Sequence, residues 1–392
     1  MTGPSHRPLA IVAGSIADVP GQGGGTWAVL QYVLGLKKLG WDVHLVEEIG
    51  EDRLLPQGVQ LETSENARYF LDVARRFGLE GQATLVLSGT GRSVGATYGE
   101  LVELCGRAEV LLNLSGVLRD PTLRGSARVR AYLDLDPAFS QLWHEVQGLD
   151  LGFDGHTHFL SVGLEMGSPS CSIPKCAVEW IPSLPPVVLS EWPFQPRPDQ
   201  DCWSTVANWR GYGSVEWEGV RYGQKAHAFR ELFRLPGLTR TRFEVALAIH
   251  PEEHSDLQAL RDNGWNLVDP MVAAGTPDRY RRFIEGSTGE LGVAKAGYVT
   301  AGCGWFSDRS ACYLASGRPV IAQDTGFGPY LPTGSGLLSF RTVEEAAEGV
   351  KAVQAEYGRH AWAARQIARG FLDSDLVLST LLENVDVCAT HL

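Results

Sequence analysis

Residues 304–327 read GWFSDRSACYLASGRPVIAQDTGF. Within this stretch SDRSACYLASG predicts a short helix, with Ser307 or Asp308 as its N-cap and Gly317 as its stop. If Ser307 caps, the N–H groups around Asp308 to Ser310 are free for an oxyanion, and Arg309 adds positive charge. PVIA is a buried strand, and Asp324, Thr325, Gly326 and Phe327 follow its carboxyl end, within reach of a polyol. Upstream, YVTAG predicts another strand running into the same segment. Polar groups placed after successive strands suit a ligand held at the carboxyl ends of an open α/β sheet.

The rest of the chain repeats that alternation. LAIVAGS is a strand, GQGGG a loop, TWAVLQYVLGLKKLG a helix stopped at Gly40, and WDVHLVEE the next strand, which together make a βαβ unit. Alternating segments continue to THFLSVG, giving an N-terminal Rossmann-like domain over 1–182. A Pro-rich linker spans 183–200, a second Rossmann-like series runs over 201–372, and a C-terminal helix over 373–392 is expected to pack back on the first domain. In the second series WSTVANW and FEVALAIH are strands, and GSVEWEGVRYG is a hairpin or long loop. The predicted fold class is α/β, with two doubly wound domains facing a central crevice.

Composition narrows the partners. A net charge of −12 argues against a nucleic-acid or anionic-membrane partner, since phosphate backbones demand a basic face. The sequence shows neither a signal-peptide pattern nor an apolar run of membrane-spanning length, and seven scattered cysteines suit a reducing cytoplasm. Cys171 and Cys176 in SCSIPKC are reduced loop cysteines, a disulfide or half of a metal site; no companion ligands stand at metal spacing, so no metal is expected.

Three constellations carry candidate chemistry. Gly23, Gly24 and Gly25 precede a helix and let backbone approach a ligand closely, beyond the plainer reading of a flexible turn. Arg210, just past the first strand of domain two, and Lys225, opening the next helix, suit a diphosphate, with Lys295 as a third cation; the alternative is solvated surface charge. The third is the opening stretch itself.

GRPVIAQDTGFGPYLPTGSGLLSFRTVEEA, with the GGG loop and the GWDVHLVEE strand, resembles a GT-B glycosyltransferase of the nucleotide-sugar-dependent kind. ASGRPVIAQDTG is similar to the tail of the family motif E-G-x-G-x-x-x-x-E-A-x-A-x-G-x-P-V. The resemblance implies a nucleoside-diphosphate sugar as co-substrate held by domain two, an acceptor held by domain one, domain closure and no obligatory metal or other cofactor. It also departs from the family: Gly304 and Cys312 stand where the two glutamates belong, and Gly24 where inverting plant-type relatives carry a histidine base. The catalytic candidates are therefore Asp134 and Asp136 at a strand end, Asp18 in the first loop, and His156 with His158. Diphosphate contacts are assigned to Gly23–Gly25, Arg210, Lys225, Lys295 and Ser307–Ser310, and sugar contacts to Asp324–Phe327. The expected activity is transfer of a sugar to a hydroxyl of a small acceptor, such as a bacterial secondary metabolite. An epimerase of the same fold and a non-catalytic nucleotide-sugar-binding protein are the alternatives.

Overall fold

A computed structural model describes residues 7–169 and 171–387. In the N-terminal lobe the strands are β1 (Leu9–Ala13), β2 (Asp42–Ile49), β3 (Ala83–Leu87), β4 (Ser93–Val94), β5 (Val110–Leu114), β6 (Val129–Asp134), β7 (His158–Ser161) and β8 (Trp180–Pro182). They form one sheet in the order β4-β3-β2-β1-β5-β6-β7-β8, parallel except for the short edge strand β4. Helices cover both faces, so the central strands carry apolar residues on both sides. Ala10, Ile11, Val12 and Ala13 of β1 are all fully buried.

The second lobe holds β9 (Trp203–Asn208), the hairpin β10 (Val215–Trp217) and β11 (Val220–Tyr222), then β12 (Phe243–Ala248), β13 (Trp265–Val268), β14 (Gly289–Gly292), β15 (Val320–Gln323) and β16 (Leu337–Phe340). Its sheet runs β13-β12-β9-β14-β15-β16, wholly parallel. Strand order reverses beside β1 in one lobe and beside β9 in the other, which puts a switch point in each.

One expected strand is a helix. YVTAG belongs to the helix Ala296–Ala301, stopped by Gly302 in the left-handed region at φ 55°. The strand is GELG, whose two glycines hide it from a reading based on β-branched residues. Packing requires the first of them: a Cβ on Gly289 would lie 2.5 Å from the Pro319 carbonyl oxygen and 2.8 Å from the Trp203 ring.

The chain joins the lobes along two adjacent passages. The first is ordered: buried Arg318 donates to the carbonyls of Gln195, Arg197 and Glu285. The second follows the helix Tyr357–Ile367, and the helix Ser374–Asn384 then lies on the helix Gly23–Lys38 of the first lobe. There, a Cβ on Gly35 would sit 2.5 Å from Leu378 Cδ1. The passages touch: Val187 N–H donates to Leu372 O at 2.7 Å, and Ser374 N–H to Val187 O at 2.9 Å.

Candidate active site

The two sheets direct their carboxyl ends at one another across a cavity of about 490 Å³. One wall is the glycine loop of the first lobe; the other is built from the ends of β9 and β12, the start of the helix Lys225–Arg230 and residues Trp305 to Arg309. Gly23, Gly24 and Gly25 all line it. Two of them are also dictated by lobe-to-lobe packing: a Cβ on Gly23 would be 2.3 Å from Thr276 O, and one on Gly24 2.8 Å from the Tyr280 ring. Only Gly25 faces open space, with Gln22 atoms 3.8 Å away. Trp27 Nε1 donates to Pro277 O at 2.9 Å and fixes this helix start against the second lobe.

Three cations converge on the cavity. Arg309 donates through Nε to Glu290 at 2.5 Å and through Nη1 to Val206 O at 3.0 Å, while its Nη2 is buried without a partner. Lys295 reaches across the lobes to Asp136 at 2.6 Å and bonds the Tyr212 hydroxyl. Lys225 is buried and, among the described residues, bonds only the Val293 carbonyl. Burial first, then the charges of Arg309 and Lys295, hold its ammonium well below the usual lysine range. Glu290 is committed to Arg309 and Asp136 to Lys295; Glu290 and Asp308 act on Lys225 through their charge, but among the described residues no carboxylate is bonded to it.

Several expected site residues stand elsewhere. Arg210 is paired with Glu253 at the surface and does not line the cavity. Asp324 turns away to Arg341 at 2.8 Å and accepts from Gly326 N at 2.9 Å. Thr325 and Phe327 are buried, Thr325 donating to Trp305 O at 2.5 Å and Phe327 packing on Phe306. Gly326, at φ 97°, completes the turn. The DTGF loop thus braces the loop before the Asp308 helix, and none of its residues lines this cavity. Ser307 caps that helix by accepting from Arg309 N at 3.2 Å, and Ser310 is buried behind it. Asp308 does line the cavity, but as a carboxylate it repels a diphosphate.

The base candidates are displaced for identifiable reasons. Asp18 is taken by Arg53 in two bonds of 2.7 and 2.8 Å. Asp134 is fully buried and accepts from Ser140, Gln141 and Ser161 at 2.7, 2.9 and 2.9 Å, tying together the ends of β6 and β7. Asp136 accepts Tyr212 and Tyr298 as well as Lys295, so its carboxylate clasps the lobes. His158 opens β7 at the amino end of that strand. His156 packs against Tyr132 and lies 3.1 Å from Asn113, and burial pulls its pKa down to about 4. Neither histidine lines the cavity.

The glutamate absent at Gly304 has a steric cause. Gly304 has φ 74°, and a Cβ there would lie 2.7 Å from Glu165 N of the opposite lobe. Glu165 N–H donates to Cys303 O at 3.0 Å, so first-lobe backbone occupies that place. Cys312 is buried and receives Gln31 Nε2 at 3.6 Å. Glu290, Tyr212 and Tyr298 were not foreseen. Glu290 lay in the unrecognised strand, and the two tyrosines only acquire meaning through Asp136. Cys171 and Cys176 are free thiols, and no group of His, Cys, Asp or Glu among the described residues is arranged to hold a metal. No helix among these residues is long and apolar enough to cross a membrane.

No family model and no curated protein matches this chain. Solved structures do. An alpha-glucosyltransferase in complex with UDP and a 13-mer DNA containing a HMU base is similar with TM-score 0.60 at 12% identity, over 97% of this chain and 100% of that one. The fold is GT-B. AviGT4, a glycosyltransferase involved in Avilamycin A biosynthesis, shares it with TM-score 0.53 at 13% identity, over 97% of each chain. Anabaena HepE in complex with UDP and glucose gives 0.56 at 11% identity, over 98% of this chain and 100% of that one. At such identities the GT-B likeness speaks for the fold alone. The complexes with DNA nevertheless overturn the exclusion of nucleic acid drawn above from net charge. A net charge sums the whole chain, whereas a nucleic acid meets one face of it.

Proposed function

We propose that this protein transfers a glycosyl group from a nucleoside-diphosphate sugar, its co-substrate, to a hydroxyl of a small acceptor. The observation that carries the reading is Lys225. Lys225 is buried beside two further cations with a carbonyl as its hydrogen-bond partner, and an entering anion would favour its charged form beyond what Glu290 and Asp308 supply. A diphosphate supplies that anion, and the GT-B structures described above with UDP give a precedent for it. Asn208, Ala248, Met271 and Tyr280 extend the wall and leave space for a nucleoside.

In this reading Lys225, Arg309 and Lys295 stabilise the charge that develops on the leaving diphosphate as the bond to the anomeric carbon breaks. Closure of the lobes keeps water from intercepting the sugar. The test is calorimetric titration with UDP, followed by product analysis with UDP-glucose. Lys225→Met is expected to weaken UDP binding by about tenfold or more, the worth of one charge-assisted hydrogen bond. Unchanged affinity in that variant rejects the diphosphate site. An epimer accumulating from donor alone favours the epimerase reading, and binding without turnover over a broad donor and acceptor panel favours a binding protein.

A further inference from the structure

A second cavity of about 270 Å³ adjoins the first on the side of the N-terminal lobe, sharing Gly24, Gly25, Trp305 and Asp308 with it. Its walls are mostly apolar: Ala28, Leu135, Val162, Pro185, Pro186 and Phe306. Three polar side chains reach it, Gln31, Tyr32 and Asp308. Gln31 is already spent, accepting from Val188 N at 2.7 Å and donating to Cys312. Tyr32 is 2% exposed and its hydroxyl has no partner. Among the described residues Asp308 forms no ion pair; the backbone N–H groups of Arg309 and of Asp308 itself lie against its carboxylate, and Arg309 and Glu290 are its charged neighbours. An unpartnered buried hydroxyl on a side chain that lines a cavity calls for a partner from outside the chain, a water or a ligand group.

We infer that this second cavity is the acceptor subsite, that it takes a small, largely apolar alcohol or phenol, and that Tyr32 and Asp308 hold the reacting hydroxyl. The inference rests on the nucleotide-sugar reading above. The volume lies below the roughly 300–1,000 Å³ of drug-sized pockets. Most of the wall side chains are apolar, which disfavours an acceptor that carries many further hydroxyls. Tyr32 donates to the acceptor oxygen, and that hydroxyl donates to Asp308. As the acceptor oxygen bonds the anomeric carbon, its proton passes to the Asp308 carboxylate. The bond from the anomeric carbon to the diphosphate oxygen breaks, and its electron pair leaves on the nucleoside diphosphate beside Lys225 and Arg309. Asp308 returns the proton to water when the product departs. Burial raises the Asp308 pKa toward the working range of a general base.

The probes are UDP, UDP-glucose and 4-methylumbelliferone, a fluorescent phenol. The UDP-bound wild type is expected to bind the phenol. Ala28→Leu, which fills the second cavity and lies outside the first, should weaken phenol binding about tenfold while leaving UDP affinity unchanged; this arm needs no turnover. Asp308→Asn should lower kcat by about a hundredfold or more without weakening UDP binding, since it removes a charge that repels the diphosphate, and should remove the acid limb of the pH profile. Tyr32→Phe should raise the acceptor KM more than it lowers kcat. Phenol binding that is absent, or equal in wild type and Ala28→Leu, overturns the subsite, as does a wild-type rate and pH profile in Asp308→Asn. Glucosylation of duplex DNA with none of the phenol overturns the acceptor class. Failure of the wild type to bind UDP overturns the parent reading and this one with it.

Discussion

At the scale of single residues, the site is governed by which charges already have partners. In the Glu290–Arg309 pair the carboxylate is fully buried and the guanidinium largely so, and the pair's worth shows when it is broken rather than when it is kept. Glu290→Ala leaves the guanidinium buried without its acid and should lower unfolding free energy by about 3–5 kcal/mol, measured by urea denaturation. Gly304 is a second decisive position. Gly304→Glu, which installs the residue of the resembled motif, should not improve transfer, because the left-handed backbone and the Glu165 amide both oppose a side chain. A loss on the order of 1–3 kcal/mol is expected from backbone strain alone, seen as a lower Tm, with no gain in transfer. Much of this level was readable from the chain: Lys225, Lys295, Arg309 and the three glycines all reach the cavity. Arg210 was not, because its partner Glu253 is 43 positions away and only folding shows that the pair is satisfied.

At the scale of elements, the alternation of strands and helices was legible almost throughout, since parallel strands covered on both faces read as continuous apolar runs. It failed at β14, where close packing selected glycine over β-branched residues. It also gave no hint of Glu47. This residue sits fully buried in β2 and accepts the N–H groups of Ile16, Ala17 and Asp18, holding the loop that leads to the glycine wall. Burial, partly opposed by those three donors, raises its pKa from the ordinary 4.5 to about 7. The folded chain therefore keeps a proton that the unfolded chain releases between these values. The associated stability is fully present below pH 4.5 and is lost as pH rises through 7, by at most about 3 kcal/mol. Glu47→Gln should flatten that slope in a series of melting curves from pH 4.5 to 8. An unchanged slope would show that Glu47 titrates as an ordinary carboxylate.

At the scale of the whole molecule, the closed arrangement is held by contacts that no local pattern announces. Asp136 receives Lys295, Tyr212 and Tyr298 from the opposite lobe, and an isolated bridge joins Gly163 to Trp305. Asp136→Asn keeps the shape but removes the charge that pairs with Lys295. It should open the lobes, increasing the radius of gyration in small-angle scattering, and it should raise the donor KM. A compact, wild-type profile would assign closure to the apolar contacts around Trp27, Trp192 and Tyr280 instead. The two-lobed plan was legible because each lobe repeats the same alternation. The clasp was not, because its members are scattered from position 136 to position 298.

The paired passages between the lobes limit how that opening can proceed. A single connecting strand would permit swivel as well as bend. Here two stretches of backbone run side by side and are bonded to one another at Val187, Leu372 and Ser374. Twisting one lobe on the other would shear those bonds, whereas bending across both stretches leaves them intact. Any parting of the lobes is thereby confined to a bend about one axis, like the covers of a book, with the two lobes kept in one register.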